Sequence, residues 1–115
     1  MTGVQTCALP IYDLKEHGQL DDTLILMFSE FGRRIKDNGA GTDHGSGGSA
    51  FVIGGAVNGG TYGEFPSLRS EAPVEGDMRF NNDFRITYST IADRWLGLDP
   101  VHIANGTFEQ FDFVD

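Results

Sequence analysis

The sequence predicts an α/β fold, and three observations carry that expectation. Residues Thr23 to Phe28 form an unbroken apolar run without alternation, which is how a strand buried on both faces reads. A glycine-terminated helix end stands only a few residues before it. Farther on, Phe84, Tyr88, Ile91, Ala92, Trp95 and Leu96 recur at helical spacing and make one face apolar.

In chain order, Tyr12 to His17 followed by Gly18 reads as the last turns of a helix with Gly18 as the left-handed cap. Asp21 and Asp22 introduce the apolar run. A buried helix segment competes for that run, but its shortness, the helix just before it and the exit through Ser29, Glu30 and Gly32 favour a strand. Ten of the 16 glycines fall between Gly39 and Gly63, so backbone dominates there, and Ala50 to Ile53 reads as a second short strand. After the polar stretch Asp77 to Asn82, Asn82 or Asp83 can cap the amphipathic helix, with Arg85, Ser89, Asp93 and Arg94 away from its apolar stripe. Gly97 and Pro100 mark its stop. Asp99 before Pro100 predicts a short helix ending near Gly106, and Phe108, Phe111 and Phe113 form an aromatic tail in need of a surface.

The 115 residues suit one domain at most. Seventeen acidic against eight basic residues give a net charge of −9, which excludes nucleic acid and anionic membrane surfaces as natural partners. No apolar run reaches the roughly 20 residues of a membrane span. One cysteine, Cys7, forms neither an internal disulfide nor a cysteine-based zinc cluster.

Two constellations can carry chemistry: Ser29-Glu30-Phe31-Gly32-Arg33 after the first strand, and Gly41-Thr42-Asp43-His44-Gly45 in the glycine-rich loop. Ligands of parallel α/β sheets bind beyond the carboxyl ends of strands, where Glu30 stands. His44, flanked by glycine, can approach a metal closely, and Asp43 can ligate or orient the ring. Against this, Glu30 can pair with Arg33 or Arg34, and His44 can simply bond a backbone carbonyl. His17 belongs to a helix end and His102 to a surface turn. Other motifs fail on context. Gly54 to Gly60 lacks the following helix of a dinucleotide loop, Arg33-Arg34 is internal, Asn105-Gly106-Thr107 is chiefly a turn, and Asp37-Asn38-Gly39 is a turn rather than a calcium loop.

Taken together, DDTLILMFSEFGRR, GTDHGSGGSAFVIGGAVNGGTYGEFPSL and DFRITYSTIADRWLGLDP resemble the C-terminal part of a sulfatase-like family of the alkaline phosphatase superfamily, domain-of-unknown-function family 1501. The resemblance runs from about Tyr12 to the end. It implies an alkaline-phosphatase-like sandwich with a central, mostly parallel sheet, here incomplete at its N-terminal side. It further implies a bacterial protein exported by the twin-arginine route that hydrolyses sulfate or phosphate esters, small-molecule or glycan, with a divalent metal such as zinc or calcium. On this pattern Glu30 takes the place of a metal-binding aspartate and His44 that of a loop histidine ligand, with Asp43 beside it. Phe31 replaces a paired histidine. The nucleophile and first ligands belong to an upstream region, so the fragment itself is expected to be inactive. The alternative is a secreted binding or scaffold protein that kept the fold without the chemistry.

Met1 to Ile11, MTGVQTCALPI, resembles the translation of a short-read sequencing adapter, and it lacks the basic and apolar regions of a signal peptide. Residues 1–11 are therefore expected to be disordered and foreign, and 12–115 to be the C-terminal part of one sulfatase-like α/β domain from a longer protein. With part of its sheet absent, the chain is expected to fold marginally.

Overall fold

The computed structural model describes residues 3–68 and 77–115; Met1 and Thr2, the start of the adapter-like stretch, lie outside them. Helix α1 runs from Gly3 to Glu16. Its end follows the sequence reading closely. Gly18 adopts φ +65°, its N–H donates to Lys15 O, and the Gln19 N–H donates to Leu14 O, the paired bonds that satisfy the last carbonyls of a helix with glycine in the left-handed position. Among the described residues no helix is long and apolar enough to cross a membrane.

Strands β1 (Ile25–Met27) and β4 (Phe51–Ile53) form where the two apolar runs predict strands. Their arrangement corrects the expected fold class. β1 pairs antiparallel with β4, in the register Ile25 with Ile53 and Met27 with Phe51, and the described residues contain two two-stranded antiparallel sheets rather than a central parallel sheet. The reason lies in the connection. A parallel neighbour needs a crossover, usually a helix, whereas the chain between β1 and β4 is spent on a hairpin and returns from the opposite direction. Nor is the first run buried on both faces: Met27 is 48% exposed and Phe28 64%.

That hairpin joins β2 (Gly32–Asp37) to β3 (Thr42–Gly45), with Gly32 opposite Gly45, Arg33 opposite His44 and a bulge before Asp37 meets Thr42. Its turn is built from the residues that favour one. The Asn38 N–H donates to Gly41 O at 2.8 Å, Asp37 and Asn38 side chains accept the N–H groups of Gly39 and Ala40, and Gly39 and Gly41 take positive φ. His44 therefore sits on a strand, not in the glycine-rich loop expected from sequence.

Helix α2 (Phe84–Thr90) is capped by Asp83, whose Oδ1 accepts the Arg85 N–H at 2.9 Å. It continues into a π-helical turn, Ile91–Trp95, closed by Leu96 N–H donating to Ile91 O, and Gly97 then turns the chain at φ +63°. Helix α3 (Pro100–Ala104) starts from Asp99, which accepts the Val101 N–H at 3.0 Å, and ends at Asn105 in the left-handed conformation. Helices α2 and α3 pack together, and the buried set around them is small: Ser89, Thr90, Ala92, Ala104, Phe113 and Val114.

Ser89 is a second correction, since it is 1% exposed rather than on the solvent face. The aromatic tail is tied to the next residue, Thr90. Phe111 donates its N–H to the fully buried Thr90 Oγ1 at 3.0 Å, and that hydroxyl donates to Ile86 O at 2.8 Å. Arg94 holds the tail through Gln110 Oε1 and Asp112 Oδ1, while Asn58 donates its N–H to Phe113 O. Phe108 lies beneath the Arg85 guanidinium, 4.4 Å from ring centroid to Cζ, and Tyr62 meets Phe111 and Phe113.

Candidate functional site

Of the candidate residues, Glu30 and His44 stand toward the base of the β2–β3 hairpin, and Asp43 is turned toward its tip. Leaving β1, the chain passes Phe28 and Ser29 to an exposed Glu30. Phe31 follows, and its ring lies on the His44 imidazole with centroids 3.5 Å apart and planes 11° from parallel. Antiparallel register explains the meeting, because Arg33 faces His44 directly and brings the residues ahead of β2 beside the end of β3. Arg33 reinforces it. Its guanidinium stands 5.1 Å from the Phe31 centroid and its Nη1 donates to Thr42 O at 2.8 Å.

Asp43 and His44 are consecutive in β3 and so point to opposite faces. Asp43 Oδ1 accepts from Asn38 Nδ2 at 2.7 Å, at the turn end of the hairpin. Among the described residues Glu30 has no ion pair with Arg33 or Arg34 and stands exposed. Nor do three His, Cys, Asp or Glu side chains converge there into a group able to hold a metal ion. Among the described residues Glu30, Asp43 and His44 thus make no metal site by themselves: Asp43 lies on the other face of β3 and is engaged by Asn38. The other two histidines lie apart, His17 bonding Asp13 O at the end of α1 and His102 exposed on α3.

Sequence reasoning missed Asp77. Both of its carboxylate oxygens accept the Ser46 N–H, at 3.1 and 3.0 Å, two residues beyond His44. No local pattern signals a contact across 31 positions; only the absence of side chains at Gly45 and Gly47 hints that something approaches the strand closely. An apolar groove of about 340 Å³ lies elsewhere, between β1 and the helices, lined by Leu24, Leu26, Tyr88, Ile91, Trp95 and Ile103.

A small domain of mixed helix and antiparallel strand, carrying a histidine-bearing hairpin, is thus what fold and site define. Residues 5–99 match the model of a family described as protein of unknown function, DUF1501, and the chain belongs to that family. No curated protein and no solved structure matches it.

Proposed function

We propose that this chain is the C-terminal part of an exported, metal-dependent hydrolase of sulfate or phosphate esters, to which it contributes Glu30, Asp43 and His44. The observation that carries the reading is the stack of Phe31 on His44, which joins the exit of β1, where Glu30 stands, to the histidine of β3. Two stretches singled out independently for chemistry meet at one hairpin base. Because these side chains do not make a metal centre alone, the remaining ligands of a zinc or calcium ion come, on this reading, from outside the described residues. The chain alone is then without activity. Its substrate is a small-molecule or glycan ester.

A second reading, a secreted binding or scaffold protein, is favoured by Phe31 itself: a ring stacked on His44 stands where the resemblance expects a second, paired histidine. Metal content separates the two. In a full-length family protein carrying these residues, stoichiometric divalent metal that falls in the Glu30→Ala and His44→Ala variants is expected of the hydrolase. Absence of bound metal, with tight binding of a sulfated or phosphorylated glycan, would establish the scaffold instead.

A further inference from the structure

Among the described residues, the β2–β3 hairpin packs on no other helix or strand. Five of the six β2 residues are exposed, and a two-stranded hairpin of this size is marginal in water on its own. Something else must hold the strand end that carries His44. Asp77 and Met78, well beyond the glycine-rich region in sequence, reach the chain just after that strand end. The Asp77 carboxylate accepts the Ser46 N–H with both oxygens, and Oδ1 also accepts the Met78 N–H at 2.8 Å. Ser46 Oγ returns a bond to Met78 O at 3.0 Å.

The glycines make this approach possible. A Cβ on Gly45 would stand 2.5 Å from Asp77 Oδ1, and one on Gly47 would stand 2.7 Å from the Met78 methyl carbon. A Cβ on Gly32, opposite Gly45 in the ladder, would collide with the Gly47 carbonyl. The Gly45-Ser46-Gly47 turn is therefore gripped from two sides. Among the described residues Asp77 has no cationic partner, so its charge is satisfied there by N–H donors, and bonds to an ionised acceptor are stronger than neutral ones.

We infer that Asp77 is a positioning residue for His44: by clamping the turn that follows it, Asp77 fixes the imidazole against Phe31 in one orientation. The functional meaning of that orientation rests on the reading of His44 as a site residue; the orientation itself does not.

The test is the proton spectrum of the His44 ring in the full 115-residue chain. Stacking on Phe31 displaces the His44 ring protons upfield of those of His17 and His102, which are internal references. Asp77→Ala is expected to abolish the displacement while the Trp95 indole signals stay in place. Asp77→Asn, whose amide oxygen still accepts the Ser46 N–H, is expected to keep part of it. Ser46→Ala leaves the backbone donor intact and is expected to keep most. A wild-type spectrum without the displacement, or full displacement in both Asp77 variants, would overturn the inference. Should Asp77→Ala fail to fold, Asp77→Asn decides: a displacement smaller than in wild type with Trp95 unmoved supports the clamp, and full retention refutes it. Failure of ester hydrolysis in the full-length protein, with the displacement present, would sink the functional reading and leave the clamp standing.

Discussion

The imidazole of His44 lies flat on the ring of Phe31, 3.5 Å from centroid to centroid. Two residues thirteen positions apart are thereby locked together at the open end of a hairpin whose β2 side chains are exposed. Phe31→Ala removes the platform for both His44 and the Arg33 guanidinium. A loss of about 1 kcal/mol is expected, read as a lower midpoint in urea unfolding with an unchanged slope. An unaltered midpoint would show that the stack adds nothing to the fold.

Asp83 links helix α2 to pH. Its carboxyl is held at about 2, below its ordinary 3.8, first by the side-chain hydrogen bond from Arg85 and then by the Arg85 backbone N–H. A carboxyl whose folded-state pKa is depressed adds stability above its unfolded pKa and loses it as pH falls through the folded one, here between about pH 4 and pH 2. Asp83→Asn is expected to flatten that part of the pH dependence, measured by urea unfolding at pH 5 and pH 2.5. Asp83→Ala also deletes the cap, at a cost of roughly 1–2 kcal/mol at pH 7. An acid-stability curve in Asp83→Asn identical to wild type would refute the link.

Two adjacent buried hydroxyls should respond in opposite directions. Thr90 Oγ1 both donates and accepts, so Thr90→Val leaves the half-buried Phe111 N–H without its partner and is expected to cost about 1 kcal/mol. Ser89 Oγ is buried and has no hydrogen-bond partner among the described residues. Ser89→Ala is therefore expected to stabilise, by up to about 1 kcal/mol. Thermal melts of the two variants check the pair, and a destabilised Ser89→Ala would mean that its hydroxyl has a partner.

Glycines in the same region should differ sharply. Gly32→Ala drives a Cβ into the Gly47 carbonyl and is expected to cost more than about 2 kcal/mol. Gly59 has nothing within 4 Å of the position its Cβ would take, and Gly59→Ala should stay within about 0.5 kcal/mol of wild type. Equal melting temperatures for the two variants would contradict the packing at the hairpin base.

What the sequence revealed was local. Gly18, Asp83 and Asp99 sit at the helix ends their chemistry suits, and the runs around Ile25–Met27 and Phe51–Ile53 do form strands. Pairing was not legible, because an unbroken apolar run reports an affinity for burial and says nothing of which neighbour supplies it; Phe28 remains 64% exposed. β2 carries no alternation, so only the Asn38-Gly39 pair marked the hairpin, and it was read as a turn without its strands. Spacing sets Ser89 away from the apolar stripe, yet it is buried, because a stripe drawn from one helix does not tell what packs against its other side. At the candidate site, Glu30, Asp43 and His44 were visible by residue type and flanking glycine. Their relation to Phe31 and Asp77 depends on contacts between distant segments that no local signal encodes.

The most direct measurement is ester hydrolysis by a full-length family protein carrying these residues, with aryl sulfate and aryl phosphate as substrates, in wild type and in folded Glu30→Gln and His44→Ala variants. A wild type that turns over one ester, and loses at least about 100-fold in kcat/KM on His44→Ala, is expected if the hairpin belongs to the catalytic centre. Turnover unchanged by both substitutions would contradict that assignment.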